Sequence, residues 1–121
     1  MNEKITLYRV QDIRGSGPFQ PGFSQKWVCE RADLINLLPW YLEFGHKSDK
    51  IINNDHWVGS ACRTLRQLRR WFTKKEYKTL KKYGYQAYAI KVDSIFAESD
   101  IQCVYANDKC PIVDAVPIKL Y

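Results

Sequence analysis

Between Leu65 and Leu80 the apolar positions fall at helical spacing: Leu65, Leu68 and Phe72 with Trp71 beside them, then Tyr77 and Leu80. That spacing predicts two short helices, each with one apolar face. Thr64 stands three residues before Gln67, and Thr73 three before Glu76. Each threonine can accept a free N–H of the first turn while the Gln or Glu side chain reaches back, so two capping boxes are expected in tandem. Gly84 suits the left-handed residue that closes a helix, and Lys81 and Lys82 put positive charge where the carbonyl ends collect.

Elsewhere the period is two. Ile5, Leu7 and Arg9 alternate with Thr6, Tyr8 and Val10, which predicts an opening strand whose end delivers Tyr8 and Arg9 to the next loop. Tyr85–Val92, Ile101–Tyr105 and Ile112–Leu120 read as three later strands, with Asp93–Asp100 as a connection. Pro117 marks the last of them as an edge or a bulge. Residues Trp27–Phe44 read as partly helical, with Asp33 a possible cap and a boundary near Leu38 imposed by Pro39. The stretch Gln11–Trp27 holds Gly15, Gly17, Pro18, Pro21 and Gly22 and is too long for a simple turn, so a binding loop or lid is expected. Gly45–Asn54 reads as a polar, exposed loop. This order of elements predicts a single α+β domain, residues 1–121, with mixed sheets and a central pair of short helices.

Charge changes the picture. The helical pair carries Arg63, Arg66, Arg69, Arg70, Lys74, Lys75, Lys78, Lys81 and Lys82 against the single acid Glu76, nine minus one or +8, whereas the whole chain is +6. The basicity is therefore local. Such a face fits an anionic partner, either nucleic acid or an acidic protein surface; the same residues also serve a plain solvated helix face.

Composition excludes several classes. At 121 residues the chain can bury a core without staples, and Trp27, Trp40, Trp57 and Trp71 are its expected bulk. No run approaches a membrane span and the N-terminus lacks the apolar block of a signal peptide, so a soluble, cytoplasmic protein is expected. Cys29, Cys62, Cys103 and Cys110 form no C-x-x-C pair, and His46 and His56 lack a ligand spacing, so no metal site is expected and the thiols read as reduced and mostly buried.

Three short motifs carry a resemblance. Leu7-Tyr8-Arg9 lies on the opening strand, Gly59-Ser60-Ala61 ahead of the helical pair, and Asp100-Ile101-Gln102 ahead of Cys103-Val104-Tyr105. In this order they resemble the small ADP-ribosyltransferase fold, in which split β-sheets cradle NAD between three motifs on separate strands. The resemblance implies that Tyr8, Arg9 and Ser60 bind NAD, Arg9 by its planar fork of donors and Ser60 beside the nicotinamide. It gives Gln102 the place where active members carry a glutamate, whose charge favours the cationic state formed as nicotinamide leaves. Glu98 or Asp100 would then supply that charge, or the protein would bind without catalysing. On the residues alone, Arg9 equally suits an ion pair with Asp12 or Asp100, Ser60 a loop or cap, and Gln102 an exposed strand position. Two functions follow: an NAD-dependent transferase acting on a protein or nucleic-acid target, or a non-catalytic interaction protein, such as a phage or mobile-element inhibitor, docking through residues 63–82.

Overall fold

Alternation in the opening residues produces β1 (Ile5–Gln11), which pairs antiparallel along its whole length with a strand from late in the chain. The computed structural model describes residues 4–20, 22–29, 37, 39–44, 57–107 and 114–121. In chain order the remaining elements are a 3-10 turn (Ser24–Lys26), α1 (Trp40–Glu43), β2 (Trp57–Ala61), α2 (Leu65–Trp71), α3 (Lys74–Lys82), β3 (Gln86–Val92), β4 (Ser94–Glu98), β5 (Cys103–Asn107) and β6 (Val116–Pro117). They form two three-stranded sheets, ordered β1-β3-β6 and β2-β5-β4. One bridge joins them: Tyr8 and Cys62 exchange backbone hydrogen bonds of 2.8 Å each.

The α+β class and the two separate sheets accord with the expected fold, but the sheets are not mixed: every pairing among the described residues is antiparallel. The reason is local. β4 and β5 are joined by a tight turn in which Ser99 N–H donates to the Gln102 carbonyl at 2.9 Å, and such a hairpin needs no crossover of the kind a parallel pair requires.

Both capping boxes form. Thr64 accepts from Gln67 N–H at 3.1 Å and Thr73 from Glu76 N–H at 3.2 Å, while the Gln67 and Glu76 side chains accept from the backbone of their caps. Gly84 closes α3 at φ 89°, and Tyr85 N–H returns to the Leu80 carbonyl while Gly84 N–H returns to that of Lys81, the paired bonds of a Schellman ending. Tyr85 and Leu80 then bury together.

Two apolar layers hold the molecule. One lies between the sheets: Leu7 of β1, Ile90 and Val92 of β3, Ala61 of β2, and Cys103 and Tyr105 of β5. The other lies under the helices, where Leu68, Trp71, Tyr77 and Leu80 meet Val10, Trp27, Ala87 and Leu120. Burying each large apolar side chain contributes about 1.5–3 kcal/mol before entropy is charged against it. Trp27 and Trp71 are core as expected; Trp40 is only half-buried, packing on Val104 and Ala97, and tyrosines fill much of the rest.

Several element boundaries differ from the periodic reading. Asp93–Asp100 contains a strand, β4, whose pairing slips between Ile95 and Ala97 and so breaks the alternation by which it would be recognised. Ile101 and Gln102 belong to the hairpin turn, so that strand begins at Cys103. The last strand is confined to Val116–Pro117 among the described residues. The boundary expected from Pro39 does form: Pro39 is the N-cap of α1, where its missing donor costs nothing. β1 runs on to Gln11, which puts Tyr8 and Arg9 mid-strand. The expected Asp33 cap and the loop 45–54 lie outside the described residues.

Candidate functional site

Arg9 follows Leu7 by two positions, so it projects from the same face of β1, and its guanidinium meets the ring of Tyr105 from the inter-sheet layer. Nη1 donates to the Tyr105 hydroxyl at 2.5 Å and Nη2 to the Gly15 carbonyl at 3.3 Å, with the guanidinium carbon 5.8 Å from the Tyr105 ring centroid. Nε is buried and has no hydrogen-bond partner among the described residues. The ion pairs with Asp12 or Asp100 that the sequence allowed are replaced by these two contacts. Asp12 instead accepts from the backbone N–H groups of Arg14 and Ser16, both at 2.9 Å, which shapes the turn that aims the Gly15 carbonyl at Arg9.

Glycine makes room for this arrangement. Gly59 of β2 lies directly across from Tyr105 of β5, and a methyl group there would fall 2.6 Å from Arg9 Nη1 and 2.8 Å from the Tyr105 hydroxyl. A Cβ at Gly17 would come 3.3 Å from Nη2, a tight contact but a milder one.

Around Arg9 opens a cavity of about 1010 Å3. Arg9, Ser60 and Gln102 all line it, so the three motifs, drawn from β1, β2 and the turn before β5, converge. The loop after β1 forms one wall. It packs on the helix-side core: Phe19 sits 4.9 Å from Trp27 and 5.7 Å from both Trp71 and Phe72, ring centroid to centroid, and Trp27 Nε1 donates to the Pro18 carbonyl at 3.1 Å. Arg14 adds a second cation, and among the described residues no carboxylate lines the cavity. Electrostatically the site favours an anion; its walls of Phe19, Trp40, Trp71 and Phe72 favour a ligand with flat apolar parts.

Other candidate residues lie elsewhere. Tyr8 is in the bridge to Cys62 and packs against the helix-side core. Glu98 is held outside the cavity by Arg63, whose Nε and Nη2 donate to its two oxygens at 2.6 and 3.0 Å, and this pairing keeps the Glu98 carboxyl below the usual carboxylate range. Asp100 is exposed; its backbone carbonyl accepts from Gln67 Nε2 at 3.0 Å. Gln102, far from an exposed strand position, is 2% exposed, and its Nε2 donates to Glu43 Oε1 at 2.9 Å. The Ser99 hydroxyl donates to the same oxygen at 2.9 Å. A carboxylate thus reaches Gln102 from α1. Glu43, Tyr105, Arg14 and Gly59 are site residues that the sequence reading missed; only Gly59, next to Ser60, lay within a motif.

The helical pair shows a sharper charge pattern than composition implied. Glu76 is fully buried, with Oε1 accepting from the Thr73 N–H and hydroxyl at 3.0 Å each, and Oε2 from Cys29 N–H at 2.9 Å. Every exposed residue from Leu65 to Lys82 is consequently a lysine or an arginine. Arg69 is partly engaged, donating to the Leu120 carbonyl at 2.9 Å and lying over the Tyr121 ring.

No helix among the described residues is long and apolar enough to cross a membrane. No curated protein and no solved structure matches the chain. A family model described as Bacteriophage T4 Y00F protein does match, over residues 1–119. This chain therefore belongs to the bacteriophage T4 Y00F protein family.

Proposed function

We propose that the cavity binds NAD and that the chain is an ADP-ribosyltransferase-like domain. The observation that carries this reading is the meeting of Arg9, Ser60 and Gln102, from three separate segments, on one electropositive, aromatic-walled cavity. NAD suits it chemically, being a diphosphate flanked by two planar rings. A volume of about 1010 Å3 is at the upper end of the range of small-molecule sites, about 300–1,000 Å3. In this reading Arg9, and Arg14 beside it, attract the diphosphate; Ser60 contacts the nicotinamide side; and Gln102 hydrogen-bonds a ribose hydroxyl.

Transfer of ADP-ribose would break the bond between ribose C1′ and nicotinamide, which departs with the bonding pair, and form a new one from C1′ to an acceptor that gives up a proton. Gln102 supplies a hydrogen bond but no charge, and losing one such electrostatic contribution costs about 10²–10³ in rate. Glu43, hydrogen-bonded to the Gln102 amide, orients that amide and places negative charge behind it.

Calorimetric titration with NAD, paired with thermal melts, tests the reading. NAD at 100 times its Kd stabilises the fold by about 2.7 kcal/mol, a Tm rise of roughly 10 °C for a chain of this size. Arg9→Lys keeps the charge but loses the fork that spans Tyr105 and Gly15, and should weaken binding at least tenfold. Absence of binding to the wild-type protein would sink the proposal.

A further inference from the structure

We propose that the outer face of α2 and α3 docks on the sugar–phosphate backbone of double-helical DNA. This is independent of the cavity, since none of Arg66, Arg70, Lys74, Lys75 and Lys78 lines it. The sequence shows a basic stretch; the structure shows that every exposed residue between Leu65 and Lys82 is a cation. Glu76, the only acid of the stretch, is turned fully inward, its carboxylate accepting from Thr73 and from Cys29 N–H, so between Leu65 and Lys82 no exposed acid interrupts the cations. A merely solvated helix face intersperses both signs. Here Lys74 and Lys78, and Lys78 and Lys82, stand at i, i+4, the spacing at which like charges repel and destabilise a helix. An anionic partner relieves that repulsion.

The identity of the partner follows from what the face lacks. Protein interfaces are anchored by buried aromatic or apolar side chains, and no large apolar residue is exposed between Leu65 and Lys82. Single strands are bound by stacking bases on aromatic rings, and no ring is exposed between Leu65 and Lys82; the two at its margin are engaged, Tyr121 beneath the Arg69 guanidinium and Tyr83 edge-on against Phe23. An RNA duplex is distinguished by its ribose 2′-hydroxyls, which both donate and accept, and a face of donors alone can engage only half of that group's hydrogen-bonding capacity. Evenly spread cations without anchors match the phosphate-only binding of a DNA duplex, whose charge density is one per about 1.7 Å of axis. Such binding is independent of base sequence.

The test is fluorescence anisotropy of a labelled 20-base-pair mixed-sequence DNA duplex, titrated with the full chain between 50 and 200 mM salt, with single-stranded DNA, an RNA duplex and polyglutamate as competitors. The wild-type protein should bind the DNA duplex with a log–log salt slope reflecting several neutralised phosphates. The triple variant Lys74→Gln, Lys75→Gln, Lys78→Gln should flatten that slope by about 0.9 for each phosphate no longer neutralised, up to about 2.7 in all. Its thermal melt should be unchanged or higher, which separates weaker phosphate binding from a damaged fold. Its NAD titration should match that of the wild type, whichever way the cavity reading falls. No duplex binding at 50 mM salt, an unaltered slope in the triple variant, or better competition by polyglutamate, RNA or single strands than by duplex DNA would each overturn the assignment.

Discussion

Adding one methyl group at Gly59 probes the candidate site through its tightest approach. The new Cβ would fall 2.6 Å from Arg9 Nη1, 2.8 Å from the Tyr105 hydroxyl and 3.1 Å from Tyr105 Cζ. Tyr105 is 1% exposed and has nowhere to retreat. The guanidinium must therefore leave its place between Tyr105 and the Gly15 carbonyl. Losing a charge-assisted hydrogen bond costs about 1.5–3 kcal/mol, and residual overpacking about 1–3 kcal/mol. Against these, replacing glycine with alanine narrows the unfolded ensemble and returns about 0.4–1 kcal/mol. The net expectation for Gly59→Ala is a loss of about 2–4 kcal/mol. For a chain of this length each kcal/mol moves Tm by roughly 4 °C, so the melt should fall by roughly 8–16 °C. Thermal and urea melts of Gly59→Ala, Arg9→Ala and the double variant check the mechanism as well as the size. Because the methyl acts largely by displacing Arg9, removing Arg9 first should lessen its effect, and the double variant should lose at least about 1 kcal/mol less than the two single losses combined. A Gly59→Ala protein within about 0.5 kcal/mol of the wild type, or strict additivity, would refute the reasoning.

Two further outcomes are expected. Burial pushes the Cys62 and Cys103 thiols up to about 12, from an ordinary value of 9.0. Their folded values lie above their unfolded ones, so the stability they contribute is complete below about pH 9 and is lost as pH rises toward 12. Urea midpoints should therefore decline from pH 8 to pH 10, and Cys62→Ala with Cys103→Ala should flatten the decline; an equally steep fall in the double variant would count against this account. The two helix caps should also differ. Thr64→Ala loses an ordinary cap, about 1 kcal/mol, whereas Thr73→Ala also deprives the buried Glu76 carboxylate of a hydroxyl donor and should cost about 2 kcal/mol or more. Equal losses in urea melts would show that the Glu76 bond from the Thr73 side chain contributes nothing.

What could be read in the chain was what is decided within a few residues. The two capping boxes and the Gly84 closure depend on spacings of three to five positions, and the structure forms all of them. The site divides along the same line. Arg9, Ser60 and Gln102 were visible because each sits in a short motif, while their partners come from far away: Tyr105 is 96 residues from Arg9, and Glu43 is 59 from Gln102. No local pattern announces such pairs. Glu76 was legible as a capping residue but not as a buried one, because its second oxygen serves Cys29, 47 residues upstream. β4 escaped notice because of the irregular pairing between Ile95 and Ala97, with Phe96 left exposed. Beyond Pro117 the regular pairing with β3 reduces to one backbone bond, Ile118 N–H to the Ala87 carbonyl at 3.0 Å, and Ile118 and Leu120 are apolar because they pack against the helix-side core.

The pairing of β1 with β3 sets a schedule on the ribosome. Ile5 waits for Val92 and Gln11 for Gln86, a gap of about 80 residues, and at about 5–20 residues per second that gap takes roughly 4–16 s to synthesise. Throughout that interval the first strand made has emerged without its partner, carrying Leu7 and Val10 uncovered, while α2 and α3 can already form from their own caps. The nascent chain thus spends seconds with an apolar strand edge open to wrong pairings, and slower elongation between residues 82 and 92 would lengthen the exposure of the strand that is made first.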